Sequence, residues 1–210
     1  SSQAAAGVGL RQNYYAFEWG EALFVALDPY TYTPTKPGAD GWGWTLGATQ
    51  YQWFASTLAA SRAKFKFVFS HHMVGGGTAE VRGGAAFADL FEWGGRDRNG
   101  ADRFKEKRPT WELPIHQLFV KTGVTIFFQG HDHLFARQEK DGVIYQETPN
   151  PADDSYQAFN REAYRSGDVL PNAGHLRVNV TPVSIRDSQA AINAGIVMVH
   201  QHLMLVENFT

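Results

Sequence analysis

Three short apolar runs, each about the length of a strand, alternate with helix-like spacings, and that alternation constrains the fold of this chain most. Ala22-Leu23-Phe24-Val25-Ala26-Leu27 closes on Asp28-Pro29, Phe65-Lys66-Phe67-Val68-Phe69-Ser70 on His71-His72, and Val124-Thr125-Ile126-Phe127-Phe128 on Gln129-Gly130-His131. Between the first two runs, Leu46, Trp53, Phe54, Leu58 and Ala59 recur at helical spacing over 46–61. Between the second and third, Leu113, Ile115, Leu118, Phe119 and Val120 do so over 113–122, with Pro114 in the first turn and Gly123 placed to end the helix. Buried strands alternating with helices specify an α/β layered sheet, and ligands of such sheets bind beyond the carboxyl ends of the strands.

The flanking segments are less regular. An aromatic, alternating strand over 13–19 turns at Gly20-Glu21 into the first apolar run, which is expected to be buried on both faces. Residues 29–44 read as a loop. The long glycine-rich segment 73–108 is expected to hold one short helix near 85–93. Asp141-Gly142 predicts a hairpin between 134–140 and 143–147. A polar loop is expected over 150–171, then strands over 175–181 and 183–187 joined at Pro182. The organisation expected is a linker or truncated start over 1–12, a folded unit over 13–187, and an apolar tail over 188–210 that could add an edge strand. Residues 1–7 have neither a charged region nor a long apolar one, so they do not read as a signal peptide.

Composition removes several chemistries. Among 210 residues there are 19 Lys+Arg, 21 Asp+Glu and no cysteine. A disulfide scaffold, a cysteine-ligated zinc and a cysteine nucleophile are all excluded. The near-neutral balance carries no basic footprint for nucleic acid, and no run approaches the roughly 18 apolar residues of a membrane span. Any metal must be held by His, Asp, Glu or Asn, which directs attention to the eight histidines.

Two expected strand ends carry histidine clusters, His71-His72 and His131-Asp132-His133. If the two strands are neighbours, residues 60 apart meet at one edge of the sheet. Neutral imidazoles converging in such a crevice are a metal-binding arrangement. His-x-His on an extended segment sends both rings to one side, leaving Asp132 to point away or to brace the loop. Gly130 would permit the turn and a close backbone approach. Each cluster taken alone also has an incidental reading. His116 in the second helix reads as a surface or capping residue, His175 as structural, and His200 and His202 as alternating on one face of the tail.

Gly130-His131-Asp132-His133, followed by Leu134-Phe135-Ala136-Arg137, resembles the Gly-His-x-His motif of the calcineurin-like metallophosphoesterases, which include purple acid phosphatases and phosphodiesterases. Phe67-Val68-Phe69-Ser70-His71-His72 resembles the metal motif before it, and 47–54 and 23–28 resemble the helix and strand further upstream. The resemblance covers roughly 13–187. It implies a four-layer α-β-β-α sandwich of the metallophosphoesterase type, of which this chain would be only the C-terminal half. No Asp-x-His, Gly-Asp-x-x-Asp or Gly-Asn-His precedes His71. By resemblance, His71 and His131 would ligate one metal and His133 the other, with His72 beside the site as a candidate catalytic acid.

The activity so implied is hydrolysis of a phosphate mono- or diester by a metal-bound hydroxide. It would use a binuclear centre of two divalent or mixed-valence ions, Fe, Zn or Mn. The partners expected are the phosphoester substrate and an N-terminal half supplying the remaining ligands. Other readings are an inactive fragment or binding module that keeps the fold, and an unrelated mononuclear metal hydrolase. The Gly-rich stretch 75–84 and Trp42-Gly43-Trp44 could shape the substrate pocket or be plain surface loops. Few lysines, many aromatics and no cysteine suit a secreted or periplasmic bacterial protein.

Overall fold

The computed structural model of the chain describes residues 4–5, 9–10, 13–33, 35, 37, 40–76, 82–172, 174 and 176–178. Seven strands form one mixed sheet: β1 (Tyr15–Trp19), β2 (Ala22–Ala26), β3 (Phe65–Ser70), β4 (Ile126–Gln129), β5 (Phe135–Lys140), β6 (Val143–Glu147) and β7 (Asp168–Leu170). Their order across the sheet is β1-β2-β3-β4-β6-β5-β7. The neighbours β2, β3, β4 and β6 are parallel, and antiparallel pairs close both edges. Ala4–Ala5 pairs with Gly9–Leu10 in a separate ladder.

The parallel core follows from its connections. Helix α1 (Gly47–Ala60) carries the chain from β2 back to the start of β3. The short helices α2 (Phe91–Gly94) and α3 (Phe104–Lys107), then α4 (Ile115–Thr122), lead from β3 to β4. Only a crossover of this kind joins parallel neighbours. Gly123, at φ 69°, ends α4 in the left-handed conformation. Asp141 and Gly142, at φ 50° and 79°, form the hairpin turn between β5 and β6.

The helices pack on one face of the sheet. Leu23, Val25, Val68, Phe127, Val143 and Tyr145 point into a core filled by Phe54 and Leu58 of α1, Phe91 of α2, and Ile115, Leu118 and Phe119 of α4. Lys66, buried on this side, donates to the carbonyls of Leu58 (3.0 Å) and Thr122 (2.7 Å), so one ammonium caps the C-terminal turns of two helices. Burial pushes its pKa down, partly offset by Glu18. Glu92 of α2, also buried, accepts from the Leu46 backbone N–H and from Arg108 and ties the start of α1 to the 73–108 segment.

The opposite face is an aromatic ladder. Phe17 stacks on Phe24 at 5.0 Å and Phe69 on Phe128 at 4.7 Å. Phe67, Ile126 and Phe128 form a small cluster there with Phe24, Phe65, Ile144 and Leu176, to which no helix contributes among the described residues. The described residues thus make two layers of an α/β architecture, helices on a sheet, as the alternation of runs predicts.

Four expectations change. β2 is buried on its helix side only, with Ala22, Phe24 and Ala26 half-buried on the other, because on the aromatic face no helix packs against it among the described residues. The helix expected near 85–93 is two short turns, Gly84–Phe87 and α2, with the chain extended at Leu90 between them. The segment 150–171 is not all loop: Asp168–Leu170 pairs with β5 as an edge strand, which three residues can do on backbone hydrogen bonds alone. Of the strand expected over 175–181, residues 176–178 have no regular structure. The rest of that strand, the one over 183–187, the 188–210 tail, His175, His200 and His202 all lie outside the described residues.

Candidate metal centre

The register of the sheet brings the two histidine clusters together. Ser70 pairs with Gln129, the last residues of adjacent parallel strands, so His71 and His131 emerge at the same edge. The backbone N–H of Gly130 donates to the His71 carbonyl at 3.1 Å. Nε2 of His71 and Nδ1 of His131 are 3.4 Å apart, with their rings nearly perpendicular at 85°. That is long for a hydrogen bond. It matches two imidazole nitrogens on one tetrahedral cation, since bonds of about 2.0–2.1 Å place them about 3.3–3.4 Å apart.

His71 is exposed and lies between two openings. One, of about 480 Å³, is lined by Asn13, Asp28, Tyr30 and Thr31. The other, of about 260 Å³, is lined by Phe69, Phe128, Gly130 and Thr148. Asp28, at the end of β2, is held by the backbone N–H of Tyr30 at 2.7 Å and by Thr31. Burial alone would raise its pKa, but the hydrogen bonds from Thr31 and Tyr30 outweigh it and leave the carboxyl below its ordinary value. Gln50 of α1 fixes the same strand end, accepting from the Asp28 N–H and donating to its carbonyl, both at 2.8 Å.

His72 faces inward. Its ring stacks on Trp44 at 4.0 Å, its Nδ1 is 3.3 Å from the Tyr30 hydroxyl, and it lies 5.2 Å from the His131 ring. At 7% exposure it forms a wall of the site.

Beyond β4 the backbone is strained at the histidines. His131 and His133 have φ of 94° and 58°, a region that costs a residue with a side chain on the order of 1–3 kcal/mol. Gly130 is not in that region, and an added Cβ would meet His71 Nδ1 at an ordinary 3.5 Å. The strain the turn needs therefore falls on the histidines, not on the glycine expected to absorb it.

Asp132, between them, is turned inward and buried. Its carboxylate accepts from Tyr164 Oη at 2.7 Å, from Asn160 Nδ2 at 3.3 Å and from Arg82. Its backbone N–H donates to Glu147 Oε1 at 3.0 Å. Burial pushes the Glu147 carboxyl up to about 9, against the pull of Arg82 and a hydrogen bond with Tyr164. Glu147 is therefore neutral at pH 7.

The structure thus joins His71, His72 and His131. His133 is exposed, and its backbone carbonyl accepts from the Asn150 N–H at 3.2 Å. Among the described residues, no group of three or more His, Asp or Glu side chains is arranged to hold a metal. The described residues bring His71 and His131 within 3.4 Å and do not assemble a binuclear set.

His116 corrects its sequence reading. It is 3% exposed, bonded through Nδ1 to the Tyr145 hydroxyl at 2.7 Å and through Nε2 to Asp141 at 2.8 Å. It pins α4 to the β5–β6 hairpin on the helix face, where Tyr145 also points, and its burial leaves no surface role for it. Sequence reasoning missed Arg82, Asn160, Glu147 and Tyr164. Arg82, a lone cation before Gly83-Gly84, carried a faint signal, and the other three carried none.

No family model and no curated protein matches the chain. Solved structures do match. PhoD is 16% identical, with a TM-score of 0.41, over 70% of this chain and 30% of its own. GAP50, the anchor in the inner membrane complex of Plasmodium, is 12% identical, with a TM-score of 0.38, over 77% and 43%. Purple acid phosphatase PPD1 from yellow lupin (Lupinus luteus) seeds is 15% identical, with a TM-score of 0.37, over 80% and 25%. The chain spans under half the length of each of these proteins.

Proposed function

We propose that His71 and His131 hold a divalent cation and that this chain carries part of the active site of a phosphoester hydrolase. The observation that supports the reading is the 3.4 Å approach of two imidazole nitrogens at adjacent strand ends. The Gly-His-x-His resemblance supplies the reaction class. When bound, the cation supplies Lewis acidity, activating water and offsetting charge on the phosphoryl oxygens. The chain's own residues do the rest. His72, stacked on Trp44, walls one side of the site beside His131. The openings beside His71 admit substrate. A second metal, with His133 among its ligands, requires donors beyond those that the described residues assemble, and the N-terminal half expected from the resemblance would bring them.

Zinc or manganese titrated into the metal-free chain, followed by calorimetry, tests the proposal. One cation per chain is expected, with binding abolished in His131→Ala. Unchanged binding in that variant would overturn the assignment. Hydrolysis of an aryl phosphate by the metal-loaded chain separates an active part from a second reading, a binding module. Binding without turnover is its expected signature.

A further inference from the structure

We infer that Arg82, Asp132 and Tyr164 form a positioning clamp that sets the His131–His133 turn and so aims His131 at His71. The inference rests on the cation reading above and adds to it the residues that shape the site from behind.

Three observations converge. First, the strained residues are the candidate ligands themselves: His131 and His133 occupy the left-handed region while Gly130 does not. A turn strained at its functional residues persists only if its surroundings hold it. Second, the holding groups act on the residue between them. The Asp132 side chain has no exposure, and its two oxygens take three donors, Arg82, Asn160 and Tyr164. With the Asp132 N–H anchored on Glu147, backbone and side chain of the central residue are both fixed, and its neighbours are forced outward. Third, the clamp spans both strand ends. The Tyr164 hydroxyl also lies 3.7 Å from Met73 Sδ, directly after His72, and Gln129 Oε1 accepts from the Val74 N–H at 3.1 Å. The two histidine-bearing segments are thereby held as one unit.

The ion pair also fixes what Arg82 does. With a buried carboxylate as the partner of its Nη1, it is placed to hold the turn. The clamp residues touch neither cation nor substrate in this reading, so they are positioning residues. Their removal is expected to weaken metal binding without removing a ligand, as for the outer partners of metal-binding histidines elsewhere, by about 10–100-fold.

The test uses the metal-free chain, Zn²⁺ for affinity and Co²⁺ for its absorption spectrum. Asp132→Asn keeps size but loses the charge that pairs with Arg82, and is expected to weaken Zn²⁺ binding by about 10–100-fold and to alter the Co²⁺ bands, which report ligand geometry. Tyr164→Phe keeps the ion pair and is expected to weaken binding by about tenfold, at the low end of the same range. Parental affinity and an unchanged spectrum in Asp132→Asn overturn the clamp. If that variant does not fold, parental affinity in Tyr164→Phe does so. His131→Ala run alongside distinguishes the two failures. Binding that survives in His131→Ala sinks the cation reading, whereas binding lost there and kept in both clamp variants sinks only the clamp.

Discussion

The two faces of the sheet use the same kinds of side chain in opposite surroundings. On the helix face, Phe127 and Tyr145 are fully buried beneath α1, α2 and α4. On the other, Phe17 and Phe69 remain 48% and 37% exposed although each ring stacks on a neighbour. Stacking removes one side of a ring from water, and a helix layer removes both. The hydrophobic contribution follows the area removed, so among the described residues the helix face contributes most, and change is cheapest at half-exposed rings such as Phe17 rather than at the buried Phe67, Ile126 and Phe128 of the same aromatic face.

The largest effect expected from that contrast is at Phe127. Phe127→Ala opens a cavity among Phe119, Trp93 and Tyr145, and should cost about 3–5 kcal/mol in denaturant unfolding. A loss under about 1 kcal/mol would mean that the helix layer is not tightly packed there.

A second experiment concerns a carboxyl on the same covered side. Glu147 has its folded pKa raised to about 9, above the ordinary value it regains on unfolding. Over the window between those values the unfolded chain has lost the proton that the folded chain keeps. Stability is then full below the ordinary carboxyl range and falls as pH rises toward 9. Glu147→Gln should flatten that slope and gain most over the parent near pH 8–9. Parallel stability curves from pH 5 to 9 would show that Glu147 ionises within the fold.

The smallest effect is expected at Phe17. Phe17→Thr places a β-branched residue on the edge strand, loses only a half-exposed stack, and should shift stability by under about 1 kcal/mol. If thermal unfolding shows a loss matching that of Phe127→Ala, the contrast between the faces fails.

Much of the parallel core was legible from pattern. Strand length, apolar content and helical spacing placed β2, β3, β4, α1 and α4, because each signal is local and repeated. The face of the sheet that each side chain meets was less legible. Phe24 and Val25 are alike as apolar residues, and only the one-sided helix layer makes one half-buried and the other fully so. The site divides in the same way. His71 and His131 stood out because two strand ends carried them. The residues behind them come from 82, 160 and 164, in segments without periodicity, and from Glu147 at the end of a hairpin strand, and are joined only by tertiary hydrogen bonds. The strain was misplaced for a related reason. Glycine is the residue that permits an unusual backbone, but the buried anchor of Asp132 decides where the unusual backbone falls.

Lys66 has a consequence for how the protein opens. Its side chain is buried at 8% exposure, and its two acceptors lie on different helices. Fraying the last turn of α1 or of α4 leaves a buried cation short of a partner. The two helix ends are thus coupled, and their backbone amides should exchange with solvent deuterium through one shared opening event. The latch joins α1 and α4 over the start of β3, so these two helices are expected to open together or stay closed.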